Sequence, residues 1–179
     1  DQMVRISVLM PVYNCVNYLA ESVDSILVQS EGDFEFVIIN DGSVDGCQDL
    51  LTSYASRDER IKLIDRPNRG LVASLNEGLS HCRGQYIARM DGDDISHASR
   101  FKIQADFLDA NLEYVAIGTN WVNIDCDGDP LSYPDNILFS HDEIDRRHLE
   151  GYPIIRHPSA MIRTDAIRAI GGYQEFAYA

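Results

Sequence analysis

Three carboxylates, Asp91, Asp93 and Asp94, fall within four residues directly after the short apolar run 86–90. Like charges packed this closely repel one another, which raises the free energy of ionising all three. A hard divalent cation relieves the repulsion, and both Mg²⁺ and Mn²⁺ favour carboxylate oxygen ligands. An Asp-x-Asp at the end of a strand therefore predicts a metal site, and cations of this kind commonly hold phosphates. An acidic turn in solvent is the alternative interpretation.

The overall charge agrees with a bound cation. The 179 residues carry a formal net charge of −14, which argues against non-specific binding to nucleic acid or to an anionic membrane surface. An acidic protein that binds an anionic nucleotide also needs a cation between the two. Apolar residues make up 45% of the chain and charged residues 25%, a composition typical of one globular domain.

The cysteines and the hydropathy pattern bear on where the protein works. Cys15, Cys47, Cys82 and Cys126 are widely spaced and form no C-x-x-C pair, so they match neither a zinc site nor a disulfide scaffold. A reduced, cytoplasmic setting is therefore expected. No apolar stretch approaches the roughly 18 residues of a membrane span, so we expect none in this chain.

The elements that must position the carboxylates alternate between strand and helix along the first 110 residues. Apolar runs predict buried strands at 6–10, 34–39, 61–64 and 86–90. Helical spacing predicts helices from an N-cap at Asn17, from Ser43 to about Tyr54, from Leu71 to near Gly84, and around Phe101–Leu108. Four such units in a row indicate an α/β fold with a parallel sheet covered by helices on both faces.

Polar segments follow the predicted strands where ligands bind in open α/β sheets, outside the carboxyl ends. They are 11–14, 41–43 and 91–94. Asp41 offers a carboxylate to a nucleobase N–H or a ribose hydroxyl, although Asp, Gly and Ser also suit a turn at a helix start. Tyr13 can stack on a base or pack on a loop, and Asn68 with Gly70 allows a tight turn.

The pattern loosens after about residue 112. Residues 114–124 predict one or two strands, and 140–149 a short helix. The segment 125–130 resembles a calcium loop at first sight, but Gly128 falls at the fourth position instead of the sixth and no Glu closes the loop. The Asp-Gly pair favours a hairpin turn.

Several motifs, taken in order, resemble those of the family 2 glycosyltransferases with the GT-A fold. They are Met10-Pro11-Val12-Tyr13-Asn14, Ile39-Asn40-Asp41-Gly42-Ser43, Asn68-Arg69-Gly70, Gly84-x-Tyr86-Ile87, Asp91-Gly92-Asp93-Asp94, His157-Pro158-Ser159-Ala160-Met161 and Gly171-Gly172-Tyr173. The resemblance covers nearly the whole chain and says little about which sugar is transferred.

The resemblance implies a Rossmann-like, mostly parallel sheet flanked by helices, with a smaller C-terminal region of mixed strands. Residues 1–179 would form a single GT-A domain, in which 1–95 bind nucleotide and metal and 96–179 form an incomplete acceptor side. The implied reaction moves a hexosyl group from a nucleotide-diphospho-sugar to an acceptor hydroxyl, with inversion and with Mn²⁺ or Mg²⁺. A UDP-sugar is the expected donor, with GDP- and dTDP-sugars as alternatives.

The resemblance also assigns residues to these roles. The implied nucleotide-binding residues are Pro11, Val12, Tyr13, Asn14, Asp41, Asn68, Gly70, Asp91, Gly92 and Asp93. Asp93 would hold the metal together with Asp91, and His157 is the acceptor-side candidate. The family's catalytic base lies in a Glu-Asp pair soon after Gly-Gly-Tyr, so we expect the base beyond Ala179 and a chain truncated at its C-terminus.

Other functions stay open at this stage. An aspartate-nucleophile phosphatase also places Asp-x-Asp after a strand, and a sugar-nucleotide pyrophosphorylase uses the same metal chemistry. A non-catalytic nucleotide-binding domain is a further alternative. The acceptor of a transferase would be a surface polysaccharide, a lipid-linked sugar or a protein, and the whole protein could attach peripherally to the inner membrane.

Overall fold

The computed structural model describes residues 4–132, 139–152 and 154–175. In these residues the strands are β1 (Ile6–Val12), β2 (Phe34–Asp41), β3 (Ile61–Arg66), β4 (Tyr86–Arg89), β5 (Ala116–Ile117), β6 (Asn123–Ile124), β7 (Pro130–Ser132) and β8 (Met161–Arg163). The helices are α1 (Val16–Leu27), α2 (Cys47–Ala55), α3 (Leu71–His81), α4 (Arg100–Ala110), α5 (His141–Leu149) and α6 (Thr164–Ala169), with a 3₁₀ turn at His157–Ser159.

A six-stranded sheet in the order β3-β2-β1-β4-β8-β5 organises the molecule. Strands β1 to β4 run parallel, and β8 is antiparallel to both β4 and β5. The predicted α/β class and mostly parallel sheet are therefore confirmed, as is the smaller C-terminal region of mixed strands. Strands β6 and β7 form a separate two-stranded hairpin.

The apolar runs are uninterrupted because the sheet is covered on both faces. All eight residues of β2 are buried. One face carries Val8 and Phe36 into a core shared with α1, α2 and α4, and the other carries Leu9 and Val37 into a core shared with α3. Successive residues of a strand point to opposite faces of the sheet. When both faces are buried, apolar and polar residues do not alternate along the strand.

Two predicted helix starts were wrong for one physical reason. Helix α1 starts after Cys15 instead of Asn17, and α2 starts after Gly46 instead of Ser43. The carboxylate of Asp45 accepts hydrogen bonds from the backbone N–H of Val16 (2.9 Å) and of Cys47 (3.2 Å). One side chain thus supplies an acceptor to the first turn of both helices, which local capping rules do not anticipate.

Other boundaries moved by a few residues. Strand β1 continues through Pro11 to Val12, and β4 pairs with it only as far as Leu9. Proline therefore interrupts no β1–β4 ladder bond at its position. Helix α3 begins at Leu71 as predicted, but this leucine is 54% exposed, and the buried face of the helix includes Leu75 and Leu79.

The C-terminal elements follow the sequence pattern closely. The hairpin predicted at 125–130 is confirmed, because the Asp125 carboxylate accepts from the backbone N–H groups of Asp127 and Asp129 (2.9 Å each) and closes the turn. Helix α5 begins after Ser140, whose hydroxyl accepts a hydrogen bond from the N–H of Glu143.

None of the described helices combines the length and apolar character that crossing a bilayer requires.

Candidate functional site

Three polar segments meet at one edge of the sheet because β2, β1 and β4 are neighbours and run parallel. The backbone N–H of Asn14 donates to Ser43 Oγ (3.1 Å), and the N–H of Val44 donates to Asn14 Oδ1 (2.9 Å). The hydroxyl of Ser22 on α1 donates to the carbonyl of Asp91 (2.9 Å). The structure therefore brings together the segments after β1, β2 and β4.

The carboxylates of Asp91, Asp93 and Asp94 form an acidic cluster in which ligand oxygens of all three lie within 4.8 Å of one another. Asp93 is exposed, and the other two are half-buried. Burial raises the pKa of Asp94, and the negative charges of its two neighbours raise it further. An all-oxygen donor set of this size fits Mg²⁺ or Mn²⁺, and a cation there would relieve the repulsion.

Two buried arginines lie next to the acidic cluster, one bonded to a carboxylate and the other to nearby backbone carbonyls. Arg89 on β4 is 1% exposed and donates from Nη2 to Asp91 Oδ1 (2.5 Å), while its other terminal nitrogen donates to the carbonyl of Met90. Arg100 on α4 donates to the carbonyls of Arg89 (2.8 Å) and Ala160 (3.2 Å), and burial lowers its pKa to about 10. Paired in this way, Arg89 holds the Asp91 carboxylate at the sheet edge.

Sequence reasoning missed the role of Arg89, although a signal for it was present. An arginine inside the otherwise apolar run 86–90 is unusual, since a charged side chain is seldom fully buried without a partner. Its Nε has no hydrogen-bond partner among the described residues. The charge of Asp91 explains why an arginine is tolerated in a central strand.

Asp41 is buried at the end of β2 and organises the next loop. Its carboxylate accepts from the backbone N–H groups of Arg69 (2.8 Å) and Gly70 (2.9 Å) and pairs with the guanidinium of Arg66. Arg66 also donates to Glu77 (2.5 Å). An ionised carboxylate has about four acceptor positions, so about one stays free after these three contacts.

Glycines allow the loop 67–70 to approach Asp41. Gly42 has a φ of +72°, and a Cβ there would lie 2.5 Å from the backbone nitrogen of Asn68. The side chain of Asn68 donates to the carbonyl of Asp41 (2.9 Å), and Gly70 has a φ of +88°. Asn68 and Gly70 therefore lie beside Asp41, in a tight turn of the kind that the sequence predicted.

The remaining predicted nucleotide-binding residues differ in what they expose. Tyr13 is 55% exposed at the end of β1, with Pro11 half-buried behind it. Val12 is buried in the core, so only its backbone is free to contact a ligand. Asn14 has a left-handed backbone conformation, with a φ of +50°. A Cβ on Gly92 would lie 2.8 Å from Cys15 Sγ, so the loop after β4 packs directly against the start of α1.

His157 opens the 3₁₀ turn that precedes β8. Its ring packs edge-on to that of Tyr173, with 5.4 Å between centroids. The residue as a whole is exposed, but its ring is partly desolvated. This desolvation and the positive charge of Arg89 lower the pKa of His157 to about 4, although the negative charge of Asp91 acts in the opposite direction. The structure thus places His157 on the Arg89–Asp91 side of the site.

An open groove of about 1190 Å³ borders the acidic cluster and was not anticipated from sequence. We call it the Trp121 groove. Its lining includes Asp93, Asp94, Trp121 and Arg156. The Arg156 guanidinium carbon lies 4.7 Å from the centre of the indole ring. The one signal in the sequence was Trp121 itself, the sole tryptophan of the chain.

Comparison with known proteins places the chain in a family. The sequence profile of glycosyl transferase family 2 matches residues 7–171. EpsE of Bacillus subtilis (strain 168), whose name assigns it to the glycosyltransferases, is 40% identical over 177 residues. That match covers 95% of this chain and 60% of EpsE. GlyA, a glycosyltransferase of Streptococcus pneumoniae serotype 4, is 40% identical over 90 residues, half of this chain and 13% of GlyA.

Solved structures with the same fold agree. The mannosyltransferase PcManGT of Pyrobaculum calidifontis, solved with GDP-Man and Mn²⁺, superposes with a TM-score of 0.72 at 19% identity over 95% of this chain and 47% of its own. TarS 1–349 of S. aureus, solved with UDP-GlcNAc, gives 0.70 at 18% identity over 93% and 47%. The fold is that of the GT-A glycosyltransferases, and the chain belongs to glycosyl transferase family 2.

Proposed function

We propose that the chain binds a nucleotide-diphospho-sugar, with UDP as the nucleotide, and serves in the transfer of its hexosyl group to an acceptor hydroxyl with inversion. The observation that carries the proposal is the acidic cluster beside the Asp41 loop, at the edge where the segments after β1, β2 and β4 meet. The chain spans 60% of the length of EpsE, so the activity of a whole protein is part of the proposal.

Asp93 and Asp91 would hold Mn²⁺ or Mg²⁺. When bound, the cation would stabilise negative charge on the departing nucleoside diphosphate, a Lewis-acid contribution worth several kcal/mol. Arg89 contributes by fixing the Asp91 carboxylate (2.5 Å), and the repulsion within the acidic cluster favours cation binding. The structure of PcManGT, a protein of this fold solved with Mn²⁺, supports the same class of metal.

The nucleoside would lie over the loops that Asp41 organises. Tyr13 exposes a ring suited to stacking on the base, and the free acceptor position of Asp41 suits a base N–H, while Pro11 and the Asn14 segment bound the pocket. Asn68 and Gly70 contact Asp41 directly, and the backbone of Val12 and Gly92 would complete the pocket. UDP in TarS and GDP-Man in PcManGT are the precedents among proteins of this fold.

Inversion in a single displacement requires the acceptor hydroxyl to approach the anomeric carbon opposite the leaving diphosphate. Asp93 and Asp94 line the Trp121 groove, whereas 11–14, 41–43 and 67–70 do not. The groove is therefore distinct from the loops assigned to the nucleotide, which supports an acceptor that approaches through it. Arg156 and Pro158, the two neighbours of His157 in the chain, are among its lining residues. Family membership disfavours the phosphatase and pyrophosphorylase alternatives.

The decisive experiment is calorimetric titration of UDP, GDP and dTDP, each with Mn²⁺ and with EDTA. We expect UDP to bind tightest and to require Mn²⁺. Asp93→Asn should weaken binding by at least about tenfold, because a metal ligand is lost. Asp49→Asn, which removes the same charge from an exposed position on α2, should leave it unchanged. UDP binding that is equal with Mn²⁺ and with EDTA, or equal in the wild type and Asp93→Asn, would contradict the proposal.

A further inference from the structure

We propose that Arg66 sets the base preference of the nucleotide site by acting on Asp41. Its guanidinium occupies an acceptor position on one oxygen of the Asp41 carboxylate, which leaves a single position for a base N–H and so favours uracil over guanine. This inference rests on the proposed function and adds a positioning residue to it.

The contacts of Asp41 are distributed unevenly over its two carboxylate oxygens. Oδ1 accepts from Nη1 of Arg66 and from the backbone N–H of Arg69 (2.8 Å). Among the residues that the structure describes, Oδ2 accepts only from the backbone N–H of Gly70 (2.9 Å). Since each carboxylate oxygen has about two acceptor positions, Oδ1 is fully occupied and the free position lies on Oδ2.

Arg66 is itself held in place, so its contact with Asp41 does not yield to a ligand. The two residues face each other in the register of β2 and β3, and their side chains are only 9% and 5% exposed. The guanidinium also donates to Glu77 (2.5 Å), to Ser74 (2.9 Å) and to the carbonyl of Pro67 (3.0 Å). A base that displaced Arg66 would leave buried donors and acceptors unpaired, which costs more free energy than the new contact returns.

The bases differ in the number of N–H donors that they present to a carboxylate. Guanine presents two adjacent donors, N1–H and the 2-amino group, which match the two oxygens of an unoccupied carboxylate. Uracil presents one donor, N3–H, between two carbonyl groups. With Oδ1 of Asp41 occupied by Arg66, the second donor of guanine finds no acceptor there. An unpaired donor lowers affinity, so the carboxylate selects the base with one N–H.

The test compares GDP with inosine diphosphate (IDP), which lacks only the 2-amino group of guanine. Both are titrated calorimetrically into the protein with saturating Mn²⁺, alongside UDP. In the wild type we expect GDP to bind no tighter than IDP, because the 2-amino group has no acceptor. Arg66→Met should make GDP bind about fivefold or more tighter than IDP, since a hydrogen bond to a charged oxygen is gained. A purely structural defect would weaken both nucleotides and leave their ratio unchanged.

Two further variants serve as controls for the ratio. Arg66→Lys keeps a cationic donor beside Asp41 and should retain the wild-type ratio. Arg69→Met is the matched control, because the side chain of Arg69 is 62% exposed and contacts Glu77 (3.5 Å), and only its backbone N–H contacts Asp41. This variant should also bind GDP and IDP in the wild-type ratio.

Either of two results would overturn the role of Arg66. A wild-type protein that binds GDP about fivefold or more tighter than IDP has an acceptor for the second donor in spite of Arg66. An unchanged ratio in Arg66→Met, with IDP binding retained, shows that Arg66 does not set the preference. The wild-type comparison decides the question by itself if Arg66→Met fails to fold.

Binding of UDP distinguishes these failures from a failure of the proposed function. If UDP binds the wild type with Mn²⁺ and either overturning result is found, the role of Arg66 is wrong and the donor site stands. If UDP, GDP and IDP all fail to bind with Mn²⁺, the proposed function fails, and the role of Arg66 fails with it.

Discussion

The N-terminal region (residues 4–110) and the described part of the C-terminal region (111–132, 139–152 and 154–175) are built on different principles. The N-terminal region contains four parallel strands and supplies nearly all the buried apolar side chains. The C-terminal region has strands of two or three residues, and helix α5 has no buried residue. The loops that carry the acidic cluster and Asp41 project from the N-terminal region, and about half of the residues that line the Trp121 groove belong to the C-terminal region.

The two regions are joined at β8. Met161 is fully buried and pairs with Ala88 of β4. The guanidinium of Arg163 donates to the carbonyls of Leu108 (2.6 Å) and Tyr114 (2.9 Å). The N-terminal region is thus held by burial and the C-terminal region by a few specific attachments, so the C-terminal loops can vary in sequence without loss of the sheet.

Replacing one glycine from each region with alanine should change stability by very different amounts. A Cβ on Gly84 would lie 2.4 Å from the backbone nitrogen of Ser7, so Gly84→Ala should lower the free energy of unfolding by about 3 kcal/mol. Gly128 has a φ of +86° but open space around it, so Gly128→Ala should cost only about 1 kcal/mol. Urea denaturation measures both, and equal losses would remove the contrast.

The second prediction concerns the pH dependence of stability that Glu35, on β2 of the sheet, contributes. Burial alone would raise the pKa of Glu35, but hydrogen bonds from Ser7 and from the Arg83 N–H and guanidinium outweigh it, so the pKa of Glu35 lies below its ordinary value. A depressed pKa contributes stability that is present above the unfolded-state pKa and is lost as pH falls through the folded-state value. Acidification through the unfolded-state pKa and down to the lower folded-state pKa should therefore progressively remove this contribution.

Glu35→Gln tests this by removing the titrating charge. It should cost about 1–3 kcal/mol at pH 7, because buried donors lose their charged acceptor, and it should lose less stability than the wild type on acidification. The exposed Glu59→Gln is the control and should follow the wild-type pH profile. Parallel profiles for Glu35→Gln and the wild type would show that Glu35 carries none of the acid sensitivity.

The smallest expected effect lies in the C-terminal hairpin. Asp125→Ala removes the acceptor for the N–H groups of Asp127 and Asp129 and should cost about 0.5–1 kcal/mol. Amide hydrogen exchange should speed up in residues 125–130 and stay unchanged in β1 and β2. Faster exchange throughout the sheet would show that the hairpin is coupled to the N-terminal region more tightly than its contacts suggest.

Much of the fold, and the edge of the sheet where the candidate site lies, could be predicted from local patterns. The strands β1 to β4 were recognisable because burial on both faces demands unbroken apolar runs. The polar segments after β1, β2 and β4 could be placed together without coordinates, because parallel strands end at the same edge. The helix starts were harder, since Asp45 serves two helices at once.

Sequence alone predicts the parallel sheet, the edge that carries the acidic cluster and the family resemblance, because each follows from residues close together in the chain. Three-dimensional packing is needed to show that Arg66 pairs with Asp41, and that Trp121 contacts Arg156 in a groove that Asp93 also lines. These partners are 25 and more residues apart, and their contact depends on how loops and short strands pack. Local propensity carries no information about such packing, so chemistry that depends on it appears only in three dimensions.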